Sequence, residues 1–145
     1  MTTYFLTDLE VERIGLGLMD RTLPKSEWTH AAHFAAALWL LRRRPEIDPA
    51  ARMPALIRAY NVATGVENND HGGYHETITQ ASLLAARVFL RAEATGAPLH
   101  AVLDRLMASP LGKPDWLLAY WSRDLLFSVQ ARRGWVEPDL QPLPV

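Results

Sequence analysis

The sequence predicts an all-α fold, a compact single-domain bundle of five to seven helices followed by an extended, proline-containing C-terminal tail. Three observations support this prediction. Apolar residues recur at helical spacing in most segments. No segment has the strict alternation of apolar and polar residues that is typical of a half-buried strand. The chain has 145 residues, which fits one helical domain over residues 1–145.

The N-terminal third predicts two helices. Thr7 followed by Glu10 matches a capping box, so a first helix is expected from Asp8 to about Met19. A second helix is expected from near Ser26 to the residue before Pro45. Its body, residues 28–41, is apolar on nearly every side, which is typical of a central, buried helix.

The remaining helices are bounded by proline and glycine. Pro54 would break a helix already under way, so the next helix is expected to begin there and to end near Gly65. The segment GVENNDHGGY, residues 65–74, is expected to be a loop. Further helical segments are expected over residues 75–94, from Pro98 onward, and over residues 116–127, before a tail that begins at Trp135.

Composition excludes several classes of function. The chain has no cysteine, which excludes a thiolate zinc site, an iron–sulfur cluster and a cysteine nucleophile. Its formal net charge of −1 gives no basic surplus for nucleic acid. The longest apolar stretch, residues 31–41, is too short for a membrane span. No secretory signal is visible, so the cytoplasm is the expected location, with neither membrane nor nucleic acid as a partner.

Four of the five histidines fall in two short segments beside carboxylates, and the first segment is EWTHAAH, residues 27–33. Glu27, His30 and His33 are spaced three residues apart. Each step of three rotates by about 60° around a helix, so the three side chains would form one slanted ridge. Two imidazoles at this spacing can bind one metal ion, and a carboxylate one turn earlier can join them or orient a ring.

The second segment is HGGYHETIT, residues 71–79, which contains His71 and His75, and His75 is expected at a helix start and facing inward. If the two helix starts lie side by side, His30, His33 and His75 converge into a site for zinc, iron or nickel. Glu76 or Glu27 would then be the general base that activates a metal-bound water, as in a hydrolase. This is the leading hypothesis for function.

Three alternatives remain open at this level. The histidines can be structural, since buried imidazoles commonly bond to neighbouring groups. They can line a polar pocket of a non-catalytic module that binds a small ligand, with Tyr74 and Asn61 also lining it. The chain can also be an interaction protein that forms a homo-oligomer through a tryptophan-rich face.

The phrases EWTHAAH (27–33), GYHETIT (73–79) and WVEPDL (135–140) resemble a family of small bacterial proteins whose function is unknown. The resemblance covers most of the chain, implies a helical fold and leaves the activity open. The order of a histidine, then His75-Glu76, then a later aspartate is also similar to that of the HD-domain hydrolases. Those proteins have a His-Asp pair where this chain has His-Glu.

Overall fold

The computed structural model describes residues 2–144, and it confirms the all-α prediction. These residues form seven α-helices: α1 (Asp8–Asp20), α2 (His30–Arg43), α3 (Pro49–Ala63), α4 (Glu76–Arg91), α5 (Leu99–Ala108), α6 (Arg123–Leu126) and α7 (Val129–Arg133). Short 3-10 helices lie at Lys25–Glu27, Pro45–Ile47, Pro110–Gly112 and Trp116–Ala119. No helix within residues 2–144 has the length and apolar character needed to cross a bilayer.

Helix α1 begins where the capping residues predict. The Thr7 hydroxyl accepts a hydrogen bond from the Glu10 amide at 3.3 Å, and the Glu10 carboxylate accepts one from the Leu6 amide at 2.6 Å. These bonds satisfy backbone donors that the first helical turn leaves free. The prediction of a start at Asp8 is therefore confirmed, and the helix continues to Asp20.

Helix α2 is the centre of the bundle, as its uniformly apolar sequence predicts. Residues 34–40 are all buried, and the helix packs against α1, α3, α4 and α5. Its approach to α1 depends on Gly15, because a Cβ atom at that position would lie only 2.2 Å from the Trp39 ring. The absence of a side chain thus allows the indole to lie directly against the α1 backbone.

The predicted helix start at Pro54 is wrong, because α3 begins at Pro49 and contains Pro54 in its interior. Proline has no amide hydrogen, so within a helix it cannot bond to the carbonyl four residues earlier, here that of Ala50. The Gln80 side chain of α4 donates a hydrogen bond to this Ala50 carbonyl at 2.9 Å. A neighbouring helix thus satisfies the acceptor that Pro54 leaves free.

A carboxylate from the start of the chain caps helix α5. Asp8 accepts hydrogen bonds from the Leu99 amide at 3.1 Å, the His100 amide at 2.9 Å and the His100 Nδ1 atom at 2.7 Å. Burial raises the pKa of Asp8, but the bonds from His100 and Leu99 together outweigh it and lower the pKa. His100 is therefore a half-buried capping partner of Asp8.

The C-terminal tail has no regular secondary structure and is bound to the region around α6. The Trp121 indole donates to the Val136 carbonyl at 3.0 Å, and the Leu140 amide donates to the Tyr120 carbonyl at 2.9 Å. The Asp139 carboxylate accepts from both the amide and the hydroxyl of Ser122, which is the N-cap of α6. The tail is thus an integral part of the fold.

Candidate functional site

The chain does not continue as one helix through the first histidine motif. Residues Lys25–Glu27 form a 3-10 turn, and Thr29 is the N-cap of α2, with its hydroxyl accepting from the Ala32 amide at 3.2 Å. The prediction that Glu27, His30 and His33 form one helical ridge is therefore wrong. The cause is local: a threonine at this position favours a helix start over continuation.

Glu27 is instead bound to α1. Its two carboxylate oxygens accept hydrogen bonds from the Arg13 guanidinium at 2.6 and 3.0 Å. The hydrogen bonds from Arg13 lower the pKa of Glu27. Glu27 is thus a charged partner in a surface ion pair, and it does not line the pocket that contains the two histidines of its motif.

His30 and His33 lie together at the wall of a pocket of about 280 Å³, which we call the histidine pocket. It is formed between the first turn of α2, the N-terminal half of α4 and the segment after α5. The residues that line it are His30, His33, Phe34, Ile78, Ser82, Pro114, Trp116 and Leu117. Three of these side chains are polar, and the others give the pocket an apolar surface.

Two contacts hold the His33 ring in place. Its Nδ1 atom lies 2.6 Å from the Thr29 carbonyl oxygen, and its plane stacks on the Trp28 indole with ring centroids 3.9 Å apart. A carbonyl oxygen only accepts, so Nδ1 carries the hydrogen and Nε2 is left with a free lone pair. Part of the His33 surface is exposed to solvent, although many protein atoms lie around the ring. This burial lowers the pKa of His33, and the nearby His30 lowers it further, against the effect of the Thr29 bond.

His30 is held in the opposite tautomer. Its Nε2 atom lies 2.8 Å from the Leu111 carbonyl oxygen, so Nε2 carries the hydrogen and Nδ1 has the free lone pair. The ring meets Phe34 edge to face, with centroids 5.3 Å apart. Within residues 2–144, neither the Nδ1 atom of His30 nor the Nε2 atom of His33 has a hydrogen-bond partner. The pocket therefore has two imidazole acceptors on its wall.

His75 has a different, structural environment. It is the N-cap of α4, and its Nδ1 atom accepts from the Ile78 amide at 3.1 Å. Its Nε2–H donates to the Leu126 carbonyl at 2.7 Å. Both ring nitrogens are therefore occupied, and the residue is buried. Burial lowers the pKa of His75, partly offset by the Leu126 bond, so the neutral ring is favoured.

The predicted convergence of His30, His33 and His75 is not found. The part of the chain that the structure describes contains no group of three or more His, Cys, Asp and Glu side chains that could hold a metal ion. The physical reason is that His75 faces the α6 backbone, while the other two imidazoles face the pocket. Binding of zinc, iron or nickel stays a prediction.

Tyr74, Glu76 and Asn61 also lie outside the residues that line the histidine pocket. The Tyr74 hydroxyl donates to the Glu76 carboxylate, and burial together with this bond raises the pKa of Tyr74. The Asn61 amide donates to Asn68 Oδ1 at 2.9 Å, and the same oxygen accepts from the Tyr74 amide at 3.0 Å. These bonds connect the 65–75 loop to α3 and α4, and they give the Glu76 carboxylate a hydrogen-bond partner within the chain.

The far wall of the pocket is not predictable from the sequence. Pro114, Trp116 and Leu117 come from a segment more than 80 residues away from the histidines, and no local pattern connects the two regions. Ser82 could have been identified as a candidate pocket residue from the sequence, because it is a polar residue on the otherwise apolar stripe of α4.

Comparison with protein-family models, with curated proteins and with solved structures gave no match to this chain. The function therefore has to be inferred from the geometry of the site alone.

Proposed function

We propose that the histidine pocket binds a small, uncharged organic molecule that has an apolar body and a hydrogen-bond donor such as a hydroxyl group. The observation that carries this proposal is the pair of oppositely fixed tautomers, which leaves one free acceptor nitrogen on His30 and one on His33. An acceptor in an apolar pocket is satisfied by a ligand that donates.

The charge state of the site favours an uncharged ligand over an anion. A lowered pKa keeps the His33 ring neutral at pH 7, so it offers a lone pair and no positive charge to a carboxylate. Phe34, Ile78 and Trp116 provide apolar contacts for the body of the ligand. A volume of about 280 Å³ lies at the small end of ligand pockets, which suits a molecule with one ring.

The test is a titration with phenol, with anisole as the matched control ligand. Both have one aromatic ring on an oxygen, but anisole lacks the O–H donor. We expect phenol to bind more tightly than anisole by the value of one neutral hydrogen bond, roughly two- to tenfold. Chemical-shift changes in amides around the pocket report the binding and its location. Equal binding of the two ligands, or binding of neither, contradicts the proposal.

Substitutions of single histidines test whether His33 provides the nitrogen that accepts the hydrogen bond from phenol. His33→Phe keeps an aromatic ring against Trp28 but removes the nitrogen lone pair, so it should reduce the preference for phenol over anisole. His71→Phe is the matched control, because His71 lies in the exposed loop and its side chain lines none of the pocket. Phenol binding should also weaken as the pH falls and His33 becomes protonated, since an imidazolium has no acceptor.

The hypothesis of metal-dependent hydrolysis predicts a different result, which a separate titration with zinc measures. Zinc titrated alone would broaden or shift the His30 and His33 ring signals, and chelator would reverse the change. Phenol binding that is unchanged by chelator favours the ligand-binding module over a metal site.

A further inference from the structure

A second concave surface lies on the other side of α2, where α1 meets the C-terminal end of that helix. We call it the α1/α2 groove, and it has a volume of about 510 Å³. Leu9, Glu12 and Leu16 of α1 border it, together with Trp39 and Arg43 of α2. The three α1 residues are spaced at i, i+3 and i+7 and therefore lie on one face of the helix.

The apolar residues of this face have no cover within the chain. Leu9 is 73% exposed and Leu16 is 44% exposed, although both border a concave surface. Single exposed leucines are ordinary, but two on the same helix face beside one groove form an apolar patch. The floor of the groove is already formed, because Gly15 lets the Trp39 ring pack tightly against α1.

The groove also has one free acidic and one free basic side chain. Within residues 2–144, neither Glu12 nor Arg43 takes part in a salt bridge, with each other or with a third residue. Two further charged residues of the groove, Asp8 and Arg44, already have partners within the chain. The groove is therefore apolar in part, with unmatched charges of both signs on its two helices.

We infer that a second copy of this chain covers the α1/α2 groove, in a two-fold symmetric dimer. In such a dimer every contact between residues i and j occurs twice, so Glu12 of each copy can meet Arg43 of the other. Leu9 and Leu16 of the two copies then pack together at the centre. The free acid and the free base of the groove, Glu12 and Arg43, match those of a second copy. A partner surface of a single charge sign would place a like charge opposite one of them. This inference is independent of the histidine pocket.

The experiment is sedimentation velocity of the full chain over a wide range of protein concentrations. The wild type should shift from monomer to dimer as concentration rises, and the dimer should weaken at high salt because the ion pairs are screened. Leu9→Ser should raise the dimer dissociation constant at least about tenfold, since it removes a central apolar contact. Val62→Ser is the matched control, because Val62 is 69% exposed on α3, away from the groove.

Charge reversal tests the pairing itself. Glu12→Arg and Arg43→Glu should each abolish the dimer, because each places like charges opposite one another at both symmetric positions. An equimolar mixture of these two variants should form a heterodimer, since each contact between positions 12 and 43 then joins one acidic and one basic side chain. The double variant E12R/R43E should dimerise with itself.

Each outcome decides the inference. A concentration-independent monomer for the wild type overturns it. A dimer that Leu9→Ser leaves unchanged overturns the groove as the interface. If the wild type is a dimer but the mixture of the two charge variants stays monomeric, the pairing of Glu12 with Arg43 is overturned. Circular dichroism of each variant separates loss of the dimer from loss of the fold.

Discussion

Replacement of His75 distinguishes a structural histidine from a metal ligand. In His75→Ala, the Ile78 amide loses its capping acceptor and the Leu126 carbonyl loses its donor. The side chain is buried, so water cannot readily replace either group. We therefore expect this variant to destabilise the protein without any reference to metal.

The size of the effect follows from the two bonds. Loss of an N-cap costs about 1 kcal/mol, and leaving a buried carbonyl without a donor costs about 1–3 kcal/mol. The free energy of unfolding should fall by roughly 2–4 kcal/mol. For a chain of this length each kcal/mol lowers the melting temperature by about 2–4 °C, so the expected decrease is roughly 4–16 °C.

Thermal unfolding followed by circular dichroism at pH 8, with and without chelator, measures this effect. His75→Asn should lose less stability, because asparagine is itself a favourable N-cap and only the Leu126 bond is lost. His71→Ala, in the exposed loop, is the control and should change little. If chelator lowers the melting temperature of the wild type to that of His75→Ala, the imidazole is a metal ligand and the structural assignment fails.

Three further results are expected. Gly15→Ala should lower the free energy of unfolding, measured in urea, by about 1–3 kcal/mol. The cost of overpacking against Trp39 exceeds the gain in helix propensity, which is at most about 1 kcal/mol. A variant more stable than the wild type would refute the close contact. Gly134→Ala is its control and should be nearly neutral, since no atom lies within 4 Å of the added Cβ. Stability should also fall as the pH drops below about 6.5. The pKa values of His33 and His75 are lowered in the folded state, so the unfolded chain binds protons first; a urea midpoint that is unchanged from pH 8 to pH 5.5 would contradict this sign.

Much of the fold was predictable because its determinants are local. The capping box at Thr7 fixes the start of α1, and the apolar sequence of residues 31–41 identifies the buried helix. The interior position of Pro54 was not predictable. It depends on Gln80, which is 26 residues away and supplies the donor that the Ala50 carbonyl needs.

The candidate site was predictable only where two residues share one helix. His30 and His33 lie one turn apart, so their joint position at one pocket follows from helical periodicity. His75 does face inward, as its place on the α4 stripe predicts. Its partner is a backbone carbonyl 51 residues later, and the side-chain pattern contains no information about such a partner.

The segment GYHETIT has a structural explanation for most of its polar residues. Tyr74 bonds to Glu76, His75 bonds to Leu126, and the Thr77 hydroxyl donates to the Gly134 carbonyl at 2.9 Å. The bonds of His75 and Thr77 connect the start of α4 to the C-terminal region. Residue types that are common in active sites thus form separate structural hydrogen bonds here.

The cap that Asp8 provides for α5 links the opening of two helices that are far apart in sequence. The Leu99 and His100 amides bond to a carboxylate at the first residue of α1, so detachment of α1 releases both amides to solvent. Their hydrogen-exchange rates should therefore report the local unfolding of α1, and the two helix starts should behave as one cooperative unit. A substitution of Asp8 would separate these two opening events.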